Sequence, residues 1–185
     1  MKKTILKYSS LLALLSAPFF STQTIALECD LAVNTPGEII SPCTIGVVQT
    51  NETFDLIGNI SPGNGNVGIT FSAGPNTLNF TGDIGSDEAD RTLFLFNSTD
   101  NNVLNMIGNL STTRNIAYGL QLISSNSNTT SLTGNITTTG RFARGLLLNT
   151  SDSNTTNITG NISTAGFNAP GLYFFNSDSN TTNLT

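Results

Sequence analysis

The chain has 185 residues, a formal charge of −5, no histidine, no tryptophan and two cysteines. Without an imidazole it can build neither a Ser-His-Asp nor a Cys-His nucleophile, no HExxH zinc site and no imidazole general base near neutral pH. The acidic balance and the few arginines are a poor counter-surface for phosphate backbones, which argues against nucleic acid as a partner.

All three lysines, Lys2, Lys3 and Lys7, lie within the first seven positions. Lys2 and Lys3 make a positive n-region. Leu11-Leu12-Ala13-Leu14-Leu15 with Phe19 and Phe20 make a short apolar core, and the polar stretch from Ser21 to Thr24 follows. This is the layout of a secretory signal peptide. The apolar run is interrupted by Ser16 and Pro18 and falls short of the ~20 apolar residues that a spanning helix needs; a buried N-terminal helix is the structural alternative. The small residues Thr24 and Ala26 predict cleavage after Ala26, so residues 1–26 are the leader and the exported chain begins near Leu27. Glu28, which precedes Cys29, is neither small nor neutral and speaks against a lipidated cysteine. Loss of the leader leaves twelve acidic residues against four arginines, a net charge of −8.

Residues 27–57 read as an N-terminal start or cap region. Cys29 and Cys43 would there meet an oxidising compartment in which a disulfide persists. Closing that loop of about 15 residues stabilises by roughly 3 kcal/mol on the chain-entropy model. A redox or metal pair is the weaker reading, because the spacing is wide and no other soft ligand exists.

From residue 58 onward the chain repeats. Gly58-Asn59-Ile60, Gly82-Asp83-Ile84, Gly108-Asn109-Leu110, Gly134-Asn135-Ile136 and Gly160-Asn161-Ile162 follow one another at steps of 24, 26, 26 and 26 residues. One such unit cannot bury its own apolar face and must stack on its neighbours, the mark of a solenoid. Within each unit apolar residues alternate with the period of a strand. Leu132, Gly134 and Ile136 share one face, and so do Ile158, Gly160 and Ile162. Leu120/Leu122, Leu146/Leu148 and Leu172/Phe174 hold matching inward positions, with Phe94 and Phe96 in the same columns. Turn-forming segments separate the strands: Asn126-Ser127-Asn128, Ser151-Asp152-Ser153-Asn154 and Ser177-Asp178-Ser179-Asn180.

Two or three short strands per ~26 residues predict an all-β fold, a parallel β-helix in which each coil lies about 4.8 Å above the last. Equivalent residues then stack, and Asn135 and Asn161 are expected to bond along the axis. The Gly-Asn pair reads either as a corner or as part of a straight strand; unbroken alternation across Leu-x-Gly-x-Ile favours the straight strand. A β-sandwich would not require near-identical units at a constant step. A disordered Asn/Thr/Ser linker would not require regular Leu, Ile and Phe.

A signal peptide followed by repeats of the form L-T-G-N-I-S-T-x-G-x-x-A-x-G-L-x-L resembles the passenger region of autotransporter (type V secreted) proteins of Gram-negative bacteria. The residues that carry the likeness are Leu132 to Thr138 with Ala143, Gly145, Leu146 and Leu148, and Ile158 to Thr164 with Ala169, Gly171, Leu172 and Phe174. The resemblance implies a right-handed β-helix, passage through the periplasm to the cell surface or medium, and adhesion to host or cell-surface ligands. It also implies a downstream β-barrel translocator, whose alternating strand pattern this chain lacks. Thr185 completes a unit with no polar cap in view, so the sequence is expected to be the N-terminal piece of a longer protein.

No catalytic, cofactor or metal-binding residue is expected. The competing class is a carbohydrate-active β-helix enzyme, which would need acids and bases concentrated on one face of three successive coils. Asp87, Glu88, Asp90 and Arg91 cluster, yet beside Gly85 and Ser86 they read as a solvated loop. Asp100, Asp152 and Asp178 share a repeat column with Asn126 and could collect Ca²⁺, but a solvated turn fits better. Asn97, Asn109, Asn128, Asn135, Asn154, Asn161 and Asn180 match Asn-x-Ser/Thr; in a eukaryotic source they would mark a glycosylated surface protein.

Overall fold

The structure is a computed structural model that describes residues 51, 53–61, 67–87 and 92–185, together with the backbone of two short strands at 38–39 and 43–45. The leader at 1–26, its cleavage point and Cys29 lie outside the described residues. Every described element is a strand, and each falls where the sequence alternates apolar with Asn, Thr or Ser. Numbered in chain order, the strands distribute over three sheets. Sheet A holds β1 (Glu38–Ile39), β4 (Asn59–Ile60), β7 (Ile84–Ser86), β10 (Leu110–Thr112), β13 (Ile136–Thr138) and β16 (Ile162–Thr164). Sheet B holds β2 (Cys43–Ile45), β5 (Ile69–Phe71), β8 (Thr92–Asn97), β11 (Tyr118–Ile123), β14 (Arg144–Asn149) and β17 (Leu172–Phe175). Sheet C holds β3 (Thr53–Ile57), β6 (Thr77–Thr81), β9 (Val103–Ile107), β12 (Thr129–Thr133), β15 (Thr155–Thr159) and β18 (Thr181–Leu184).

All pairings are parallel, and the register is the repeat step: Leu120 faces Leu146, Leu132 faces Ile158, and Ile136 faces Ile162. The fold is therefore a parallel β-solenoid with one strand of each sheet per coil. Strands β1 to β3 pair in the same manner, so residues ahead of the first Gly-Asn-Ile unit contribute to all three sheets.

The inward columns build one continuous core. Leu56, Phe80, Met106, Leu132 and Ile158 line sheet C, and Ile60, Ile84, Leu110 and Ile136 line sheet A; all are buried. Sheet B supplies Phe94, Leu120 and Leu146 in one column and Phe71, Phe96, Leu122 and Leu148 in the next. Phe71 and Phe96 stack with centroids 4.7 Å apart and planes 9° from parallel, which adds a ring-stacking contribution to area burial. Leu172 and Phe174 keep these columns but belong to the outermost described coil and are exposed.

The Gly-Asn pair is a corner and not a straight strand. Strand β12 stops at Thr133 and β13 starts at Ile136, in a different sheet. Gly134 sits at φ +148°, and Gly58, Gly82, Gly108 and Gly160 lie between +141° and +148°. A side chain there would also strike the coil below, since a Cβ on Gly134 would come within 1.9 Å of the Gly108 carbonyl oxygen. Alternation continues across the bend, because Leu132 and Ile136 both point inward from neighbouring sheets. That is why the pattern reads as one strand in sequence.

Candidate functional site

Two of the three corners are tied by columns of polar side chains. At the C-to-A corner the asparagine ladder expected for Asn135 and Asn161 is present. The Asn161 N–H donates to Asn135 Oδ1 at 2.9 Å, the Asn135 N–H to Asn109 Oδ1 at 2.9 Å, and the Asn109 N–H to Asp83 Oδ1 at 2.7 Å. These residues are exposed, so water competes for every bond.

The B-to-C corner carries a second asparagine column, and this one is inside. The Asn102 N–H donates to Asn128 Oδ1 at 2.8 Å, the Asn128 N–H to Asn154 Oδ1 at 2.9 Å, and the Asn154 N–H to Asn180 Oδ1 at 2.8 Å. The donor here lies on the earlier coil, the reverse of the exposed ladder. The amide nitrogens are used as well: Asn128 Nδ2 donates to the Thr99 carbonyl at 3.0 Å and Asn154 Nδ2 to the Ser125 carbonyl at 2.9 Å. A hydroxyl column runs beside it, in which the Ser125 N–H donates to Ser151 Oγ and the Ser151 N–H to Ser177 Oγ. Buried main-chain groups at this wide turn thereby find partners that sheet pairing cannot supply. In the sequence Asn128, Asn154 and Asn180 read as turn formers and as Asn-x-Ser/Thr matches, and the recurrence of Asn at 102, 128, 154 and 180 is the signal for their interior role.

The acidic column expected as a solvated turn lies on the same corner. Asp100 Oδ1 accepts from the Asn126 N–H at 2.6 Å, and Asp152 Oδ1 accepts from the Asp178 N–H at 2.7 Å. One oxygen of each carboxylate is thus committed to a main-chain donor. Among the described residues no group of three or more His, Cys, Asp or Glu side chains is placed to hold a metal. Of the Asp87, Glu88, Asp90 and Arg91 cluster, only Asp87 is described, and its carbonyl accepts from Arg114 Nε. Cys43 opens β2 beside Ile69 in the adjacent strand; its proposed bond to Cys29 lies outside the described residues. Among the Asn-x-Ser/Thr positions, Asn97, Asn109, Asn135 and Asn161 are exposed, whereas Asn128 and Asn154 are buried with their amides engaged. Those two are closed to glycan attachment in the folded chain.

The A-to-B corner differs in chemistry. Arg114 and Arg141 lie in its turns, and Arg144 opens β14 in register with Tyr118. The Arg141 guanidinium stands 5.6 Å from the ring centroids of both Phe142 and Phe167, which meet edge to face at 5.8 Å. Arg144 lies 4.3 Å over Tyr173 and 5.5 Å from Tyr118, and its Nη1 donates to the Tyr118 hydroxyl at 3.2 Å. The arginines are dispersed along the sequence; the coil register gathers them.

The fold and its surface define a parallel β-solenoid with ladder-tied corners and one aromatic-cationic edge. No protein-family model, no curated protein and no solved structure matches the chain. Among the described residues no helix is long and apolar enough to cross a membrane.

Proposed function

We propose that this chain is an exported passenger segment of the autotransporter kind, a cell-surface β-solenoid that displays an extended adhesive face and carries out no catalytic step of its own. The single observation that supports the reading most is the way polar side chains are used. Exposed Asn and Asp side chains on successive coils bond to the next coil along the axis, so residues that decorate the surface also propagate the fold. Such a fold can grow one coil at a time from a neighbour already in place, which suits a chain that emerges through a narrow outer-membrane barrel and folds outside. Host or cell-surface molecules are the partners this reading implies, with a β-barrel translocator as the partner in export.

Export is tested by expressing the full sequence in a Gram-negative host, fractionating the cells and determining the N-terminus of the product. The expected result is a periplasmic or surface-exposed species beginning at Leu27. An intact leader on cytoplasmic protein would overturn the reading. Release of reducing ends from polysaccharides by the purified chain would move it to the carbohydrate-active class.

A further inference from the structure

Once the leader is set aside, the arginines at 91, 114, 141 and 144 are the chain's only basic residues, and Tyr118 and Tyr173 are its only tyrosines. Three of those arginines and both tyrosines converge on the A-to-B corner and the strand edge beside it. Arg141 and Arg144 are held by stacking on rings. Among the described residues neither guanidinium has a carboxylate partner, although the chain is strongly acidic. At exposed Arg141 stacking occupies the flat face of the guanidinium and leaves its in-plane N–H fork for a planar anion, whereas Arg144 gives Nη1 to the Tyr118 hydroxyl. Arg144 Nε is buried with no acceptor, a donor that lacks its partner.

The apolar side chains of this edge are turned outward. Phe167 is 67% exposed and Ile116 44%. The backbone holds Ile116 and Phe142 at φ +53° and +57°, a left-handed conformation costly for bulky side chains, whereas the next coil places Asn168 in the same column. An asparagine satisfies the turn. Ile116 is turned to solvent there, and Phe142 meets the Arg141 guanidinium and the Phe167 ring.

We infer that this edge is a binding site for a linear polysaccharide bearing carboxylates, lying along the solenoid axis across successive coils. Arg141 takes a carboxylate through its N–H fork with the Arg144 charge beside it, and Phe167 and Ile116 offer apolar surface to the sugar rings. Charge complementarity picks out this edge, because it is where the described positive charge is concentrated. A polymer with carboxylates on alternate sugars suits a chain that is acidic elsewhere; a phosphate polyanion carries a charge on every unit and would be repelled by the rest of the surface. The inference rests on the adhesive-display reading and names the ligand class of that display.

The test uses the purified chain from Leu27 to Thr185, without the lysine-bearing leader, in affinity electrophoresis and calorimetry with hyaluronan, in parallel with neutral dextran and an oligo-dT strand. The expected result is retardation by hyaluronan alone, weakening as salt rises. Arg141→Gln, at an exposed site, should weaken binding by about 10-fold, the loss of one charge-assisted contact. Phe167→Ser should weaken it by roughly 3- to 10-fold while leaving the salt dependence unchanged. Arg144→Gln, which removes a charge already bonded to Tyr118, should weaken binding by a smaller factor than Arg141→Gln, and unchanged urea midpoints show that the variants remain folded. Equal retardation by dextran, no retardation by hyaluronan, or wild-type binding by folded Arg141→Gln would overturn the assignment. Tighter binding to oligo-dT would give the edge to single-stranded nucleic acid and overturn it as well. Binding is measured on purified protein, so failed export would overturn the display reading without touching this result.

Discussion

Asn128 is the side chain on which the interior ladder can be tested most sharply. It is 1% exposed. Its Oδ1 accepts from the Asn102 N–H at 2.8 Å and from Asn102 Nδ2 at 3.1 Å, and its Nδ2 donates to the Thr99 carbonyl at 3.0 Å and to Asn154 Oδ1 at 3.2 Å. Asn128→Ala leaves the Asn102 N–H and the Thr99 carbonyl buried without these partners, at roughly 1–3 kcal/mol each. The vacated volume adds a smaller cavity contribution. The expected loss is therefore about 3–6 kcal/mol, a large part of a typical stability of roughly 5–15 kcal/mol. Asn135→Ala removes an equivalent-looking ladder member from the exposed corner. Water replaces its bonds, and the loss should stay below about 1 kcal/mol. Equilibrium urea unfolding followed by circular dichroism reads both; with a slope of about 2 kcal/mol/M the first variant shifts the midpoint by roughly 1.5–3 M and the second by less than about 0.5 M. Equal shifts for the two variants would refute the argument that burial, and not laddering as such, sets the energy.

Four further outcomes follow from the same geometry. Gly134→Ala combines a +148° φ with a Cβ 1.9 Å from the Gly108 carbonyl oxygen and should cost about 3 kcal/mol or more in urea unfolding. Gly85→Ala, whose Cβ meets Ser111 Oγ at 3.2 Å and the Ser111 carbonyl oxygen at 3.9 Å, should stay within about 1 kcal/mol of wild type. Thr130 buries its hydroxyl without a hydrogen-bond partner, so the isosteric Thr130→Val should raise stability by about 1 kcal/mol. Because Asp100 and Asp152 each commit an oxygen to a main-chain N–H, thermal melts should coincide in calcium and in chelator; a clear rise in calcium would show that the column binds the ion.

The repeat makes the architecture legible in the sequence. A constant 26-residue step with Leu120, Leu146 and Leu172 in phase leaves parallel stacking as the arrangement that buries every unit alike. The pattern hides the corner, since alternation persists through a bend when both flanking residues point inward, as Leu132 and Ile136 do. Glycine conformation, and not polarity, makes that bend. The interior asparagines escaped notice because polarity alone suggests solvent, whereas Asn102, Asn128 and Asn154 are buried to satisfy main-chain groups of a wide turn. The arginine edge was illegible for another reason. Arg114 and Arg141 are 27 residues apart, and only the coil register brings such positions to one side of the molecule.

The most direct test of the account is a cross-linking map of the outward face of sheet C. Ser131 and Asn157 are 26 residues apart in sequence and directly opposed in β12 and β15. Their Cα atoms should lie about 4.8 Å apart, the spacing of adjacent strands and within the disulfide range of about 4.4–6.8 Å. Cysteines introduced by Ser131→Cys and Asn157→Cys should join under mild oxidation and appear as one linked peptide in a mass-spectrometric digest. Ser131→Cys with Thr159→Cys, displaced by two positions on the same face, should not. Efficient linkage of the displaced pair, or none between positions 131 and 157 in folded protein, would contradict the parallel solenoid register.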